Sequence, residues 1–321
     1  MQLYCYLQEG LYITLSTLFA MHPSPIHTWL TALRLPTILL ATSSVMMGSA
    51  LAIQAHQWHP AISFLAWITA SLLQLITNLA NDYGDFERGA NVDKRVSAAG
   101  THGLTLTQIR RTLVLLVVLA IVFGLILLGV AKYMAHLPTP CSLRFLFLGG
   151  LSIVAAIAYT MGTKPYADMG LGDVSVFFFF GIVGVAGTAY LHQPVLYADY
   201  ALPMIASGCF AVAVLNVNNI RDIASDKQVA KNTLVVRLGR RFGICYQWSL
   251  LLSGMGALLL FTYWHYHSYW QWLYVVTFPL LIRNGILTMV RPAEKLTQVL
   301  QNLVLLIFCT TVLFTIGIAL V

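Results

Sequence analysis

Apolar residues fall along this chain in nine long blocks separated by short polar stretches. A helix needs about 20 predominantly apolar residues to cross a hydrocarbon core of about 30 Å, and the blocks approach or exceed that length. They run roughly over Pro36–Ile53, Ala61–Ala80, Thr112–Ala131, Phe145–Tyr159, Asp173–Tyr190, Leu202–Asn216, Tyr246–Tyr263, Trp270–Leu287 and Leu296–Val321. Segments of about ten residues with alternating polarity, the mark of an outer-membrane barrel, do not occur. Because lipid leaves no partner for an unpaired backbone group, the pattern predicts an all-α polytopic membrane protein of about nine transmembrane helices.

Residues 1–28 read as an N-terminal extension. Leu11–Ala20 is apolar but too short to span, no basic stretch precedes it as in a secretory signal, and Met21 is followed by His22, Pro23 and Pro25. Met21 is therefore expected to be the start of the natural protein, and residues 29–321 a single transmembrane domain.

Composition narrows the class. The 321 residues are 59% hydrophobic and 9% charged, a balance that no water-exposed globular surface supports. Cys5, Cys141, Cys209, Cys245 and Cys309 are scattered singly, without metal-ligand spacing, and read as small apolar residues. Placing successive loops on alternate sides puts Arg34, Arg88, Lys94, Arg95, Arg110, Arg111 and Lys164 on one side. Arg221, Lys227, Lys231, Arg237, Arg240, Arg241, Arg283, Arg291 and Lys295 join them, against Lys132 and Arg144 opposite. The positive-inside rule makes the first side cytoplasmic, so the net charge of +7 is a topology signal and calls for no nucleic acid. The lipid bilayer is the expected surrounding, a bacterial cytoplasmic (inner) membrane the expected location, and no obligate protein partner is expected. His56, His59, His136, His192, His265 and His267 fall on the opposite side, where an interfacial role is expected.

Acidic residues also crowd the cytoplasmic side, which topology does not demand. After the second block the chain reads Gln74, Asn78, Asn81, Asp82, Tyr83, Gly84 and Asp85. On a helix, spacings of three and four put Asn78, Asn81, Asp82 and Asp85 along one polar stripe. After the sixth block, Asn218, Asp222 and Asp226 repeat the four-residue spacing, with Asn219 and Arg221 between them. Oxygen donors without His or Cys suit Mg²⁺, which is commonly shared between a few carboxylates and a substrate's phosphate oxygens. Arg221, Lys164, Lys231 and Arg95 are placed to neutralise the remaining charge of such an anion. A cation transporter would set its carboxylates near the membrane midplane on broken helices; these lie at helix ends among cations.

The two segments resemble motifs of the UbiA superfamily of intramembrane aromatic prenyltransferases. The first is similar to that family's NxxxD-type segment. The second matches its NNxRDxxxD block in Asn218, Asn219, Arg221, Asp222 and Asp226, continuing through Lys231, Thr233, Leu234, Arg237, Leu238 and Gly239. A third stretch, Tyr159, Thr160, Gly162, Lys164, Pro165 and Tyr166 followed by Gly170, Gly172 and Asp173, resembles the branch that prenylates 1,4-dihydroxy-2-naphthoate. The opening around Trp29 and Arg34 is also similar, with departures at Leu35 and Pro36. Asn91, where the family often has Asp, and Val96 to Ala99 depart in the first cytoplasmic loop.

The resemblance implies a UbiA-like helical bundle. It also implies a Mg²⁺-dependent transferase joining a polyprenyl diphosphate to an aromatic acceptor, with 1,4-dihydroxy-2-naphthoate first, and 4-hydroxybenzoate, homogentisate or a tetrapyrrole as alternatives. Asp82, Asp85, Asp222 and Asp226 would be catalytic and hold Mg²⁺, with Asn78 as a further ligand. Asn78, Asn81, Arg34, Lys164, Tyr159, Tyr166, Asn218, Arg221 and Lys231 would bind substrate. Phe177–Phe180 would either line a route for the lipid tail or simply pack, and Asp173 would order its loop rather than act as a base.

Overall fold

The computed structural model describes Trp29 and residues 32–87, 104–162 and 165–321, with the backbone alone for 85–87. The N-terminal extension with Met21, the side chain of Asp85, and Arg95, Lys164 and the first cytoplasmic loop lie outside the described residues. Those residues form helices and connecting turns, with no strand among them, and nine helices are long and apolar enough to span a bilayer. They are α1 (Ile38–Gln54), α2 (Pro60–Glu87), α3 (Leu106–Met134), α4 (Thr139–Ala158), α5 (Gly172–His192), α6 (Ala201–Arg221), α8 (Leu234–Trp264), α9 (Phe278–Val290, extended backwards by a 3₁₀ turn at Tyr269–Thr277) and α10 (Leu296–Ala319). A short helix α7 (Ile223–Gln228) follows α6.

The observed helices outrun the apolar blocks at their polar ends. A window of hydrophobicity stops where side chains become polar, whereas the backbone continues to pair with itself. Thus α2 runs through the acidic stripe to Glu87. At the start of α3, Thr105 forms a reciprocal cap with Gln108, so the helix begins before its apolar stretch. Arg283, counted with the cytoplasmic-side cations, lies inside α9, as the block Trp270–Leu287 already had it.

Helices α1 and α6 are the most buried and pack on each other's neighbours: α6 against α5, α8 and α10, α1 against α2, α5 and α10. Their small residues allow this. A Cβ on Gly48 of α1 would stand 2.5 Å from the Val185 carbonyl oxygen of α5, and one on Gly181 of α5 would stand 2.6 Å from that of Met204 on α6. Phe177–Gly187 is wound as a π-helix, a wider turn usually found in single-turn pieces. Phe177 and Phe180 pack against the central core, while Phe178 is exposed.

On the side away from the acidic segments, His192 departs from its expected interfacial role. It is 1% exposed, its Nδ1 accepts the His59 backbone N–H at 3.2 Å, and its Nε2 lies 3.1 Å from the Ser63 hydroxyl. An accepting Nδ1 places the proton on Nε2, so His192 is a neutral tie between α2 and the end of α5.

Candidate functional site

The end of α2 carries the first acidic group. Asp82 is 3% exposed, and its Oδ1 accepts from Arg34 Nη2 at 2.6 Å. Arg34 has a left-handed backbone (φ 48°, ψ 50°) just before the 3₁₀ turn Leu35–Thr37. Asn78 holds that turn: its Nδ2 donates to the Leu33 carbonyl at 2.8 Å and to Thr37 Oγ1 at 2.9 Å, while its Oδ1 accepts from Gln74 at 3.0 Å. The Asn78 amide therefore has both hydrogens committed to fixing the residue that faces Asp82. Asn78→Ala would leave the half-buried Leu33 carbonyl and the Gln74 amide without this partner. The expected cost is about 1–3 kcal/mol, read as an earlier thermal transition of the solubilised protein. Asn81, one residue before Asp82, has a buried Oδ1 with no hydrogen-bond partner.

The second acidic group is built differently. The expected single helical face of Asn218, Asp222 and Asp226 is interrupted, because α6 ends at Arg221, and Asp222 (φ −97°, ψ 11°) is the hinge before α7. The break separates the carboxylates by exposure: the Asp222 side chain is 30% exposed, whereas Asp226 is buried. Arg221 grips Asp222 with two parallel bonds of 2.7 Å, the strong bidentate geometry of a guanidinium on a carboxylate, and reaches Asn218 Oδ1 at 2.7 Å. The Asp226 carbonyl accepts the Lys231 backbone N–H at 2.9 Å, keeping half-buried Lys231 beside this group.

The stretch after α4 joins the two. Gly84 lies so close to Thr160 that a Cβ would collide with the Thr160 carbonyl oxygen. One residue earlier, Tyr159 is within electrostatic reach of Asp173, Asp168 and Asp226. Burial first, then Tyr166 and those carboxylates, push the Tyr159 phenol well above the usual tyrosine range, so it stays protonated. Tyr166 stands edge-on to it at 5.3 Å, and its hydroxyl donates to the Ala155 carbonyl at 2.9 Å and meets Ser175 Oγ at 3.1 Å. Burial raises Tyr166 as well, with the Ser175 bond opposing. Asp173 is buried in the first turn of α5, with Tyr246 of α8 beside it.

Two further ties close the ring: the Asn232 N–H donates to the Asp168 carbonyl at 3.1 Å, and Arg237 Nη2 to the Met169 carbonyl at 2.8 Å. In the sequence, Arg237, Gln74, Thr37 and Thr160 stand only as parts of motifs, and Asn232 carries no signal. Thr37, Thr160 and Asn232 act through backbone groups or a single hydroxyl, which no residue pattern announces.

Among the described residues, no three of His, Cys, Asp or Glu converge to enclose a metal ion. The carboxylates of Asp82, Asp222 and Asp226 stand at separate helix ends, two of them beside guanidinium groups. That donor set does not make a protein-only cage. It fits Mg²⁺ shared between one or two carboxylates and the oxygens of a bound phosphate compound.

The model of the UbiA prenyltransferase family matches residues 39–295. The 1,4-dihydroxy-2-naphthoate octaprenyltransferase of Escherichia coli strain K12 is 43% identical over 260 residues, covering 80% of this chain and 83% of that protein. The enzyme of the same name from Haemophilus influenzae is 36% identical over 297 residues, covering 90% and 94%. Among solved structures, a digeranylgeranylglyceryl phosphate synthase superposes with a TM-score of 0.61 at 14% identity, covering 92% of this chain and 99% of that chain, a likeness of fold.

Proposed function

The chain belongs to the UbiA prenyltransferase family, and from that premise we propose that it transfers a polyprenyl group from its diphosphate to 1,4-dihydroxy-2-naphthoate, giving demethylmenaquinol. The observation that carries the choice of acceptor is the identity to naphthoate enzymes over four-fifths or more of the chain.

In this reading the allylic C–O bond breaks, and diphosphate leaves with the electron pair. The ring carbon bearing the carboxylate attacks the allylic carbon. The C–CO₂ bond then breaks, releasing CO₂ and returning its electron pair to the ring. Mg²⁺ held by Asp82, Asp222 and Asp226 with the phosphate oxygens, and by Asp85 in the same stripe, would supply positive charge where the diphosphate departs. Arg221 and Lys231 add fixed cations at the second helix end, and Arg34 at the first. Stabilisation of developing charge by preorganised groups is commonly the largest catalytic contribution. Protonated Tyr159 faces the site as a neutral aromatic rather than a base. Asn78 acts by positioning Arg34, and Asn218 by positioning Arg221.

The sorting of cations supports a cytoplasmic opening of this site in a bacterial inner membrane. The test is incubation of membranes carrying the chain with Mg²⁺, a polyprenyl diphosphate and either 1,4-dihydroxy-2-naphthoate or 4-hydroxybenzoate, with and without chelator. Demethylmenaquinol and CO₂ from the naphthoate, lost on chelation, are expected. Product from hydroxybenzoate alone would overturn the acceptor, and product undiminished by chelation would overturn the metal.

A further inference from the structure

Arg283 is an exposed guanidinium within a membrane span. It and Asn302, also exposed, stand on α9 and α10 about two helical turns, roughly 10 Å, in from the membrane face where α9 ends and α10 begins. Among the described residues no carboxylate pairs with Arg283 and no acceptor takes its hydrogens. A charge facing hydrocarbon without a partner is expensive and by default marks a functional position.

Between the two helices lies a cleft of about 180 Å³, lined by these two helices alone. Its apolar lining is Leu280, Leu287, Leu305 and Leu306, and Arg283 and Asn302 are its exposed polar groups. The third polar group, Asn284, is 3% exposed; its Nδ2 donates to the Val299 carbonyl at 2.9 Å, and its Oδ1 has no hydrogen-bond partner. The cleft thus combines an exposed cation and an exposed amide with leucine walls open to lipid.

We propose that this cleft binds an anionic glycerophospholipid, probed as phosphatidylglycerol. The phosphodiester is held by Arg283 and the Asn302 amide, and the acyl chains lie along the leucines. Arg283 reaches the phosphate level by extending its aliphatic stem along the helix. A basic cleft between membrane helices, close to a headgroup layer, is a general site for anionic lipid. Neither acidic group borders the cleft, so the ligand is distinct from the diphosphate of the proposed reaction.

The test is native mass spectrometry of the delipidated full chain in mixed micelles containing phosphatidylglycerol, phosphatidylmethanol or phosphatidylcholine. Phosphatidylmethanol keeps the charge and lacks the glycerol headgroup. Both anionic lipids are expected to be retained over phosphatidylcholine, with Arg283→Gln lowering phosphatidylglycerol occupancy about fivefold and Asn302→Leu lowering it by less. If Arg283→Gln fails to fold, Asn302→Leu decides: reduced phosphatidylglycerol preference supports the site, and an unchanged one overturns it. Equal retention of all three lipids overturns the proposal. So does a dimer that Arg283→Gln dissociates without any lipid preference, which would assign the cleft to a second copy of the chain.

Discussion

Asp82→Ala is expected to lower turnover about a hundred- to a thousandfold while leaving the thermal transition nearly in place, and Asp222→Ala to do the same. The first expectation follows from the charge that must be met when diphosphate departs, where loss of one preorganised group costs that order of rate. The second follows from exposure. Without Asp82, Arg34 is left with a side chain 43% exposed, which water can hydrate. Arg221 likewise keeps Asn218 when Asp222 is removed. The reverse change differs: Arg34→Ala would take the guanidinium away from a carboxylate that is 3% exposed, and removing one partner of a buried pair is the destabilising direction. Product assays and thermal unfolding of the same preparations check this. Asp82→Ala and Asp222→Ala proteins that unfold far earlier than the parent would make the two residues structural, and near-normal turnover would remove them from the reaction.

Gly84→Val is expected to abolish product formation and lower stability together. Its side chain would collide with the Thr160 backbone, and a backbone carbonyl, unlike the tip of a flexible side chain, cannot swing aside. Overpacking of a tight contact costs about 1–3 kcal/mol. Here the displaced element is the one that also carries Tyr159, so the two acidic helix ends would move apart. Gly129→Ala on α3 is the control: a Cβ there meets nothing within 4 Å, and alanine favours a helix over glycine by about 1 kcal/mol. Full activity in Gly84→Val would show that the contact with Thr160 is incidental.

Much of this was legible along the chain because a bilayer imposes a local rule. About twenty apolar residues make a span, so nine spans and the polar stripes at their ends could be read without any long-range contact. The carboxylates at Asp82, Asp222 and Asp226 were found in the same way, since ionisable groups at membrane helix ends stand out against their surroundings.

Only the tertiary structure decided what each polar group does. Spacing treated Asn78 and Asp82 alike, but contacts with Leu33, Thr37 and Arg34, more than forty residues away, made one a brace and the other half of an ion pair. Spacing drew Asp222 and Asp226 on one continuous helix, whereas the chain breaks at Asp222, leaving it partly exposed and Asp226 buried. Nor does the run of phenylalanines announce a π-helix or which of its rings face the core. Hydrophobicity and helical periodicity are properties of neighbours in sequence; burial, pairing and the close approach of Gly84 to Thr160 depend on residues that only folding brings together.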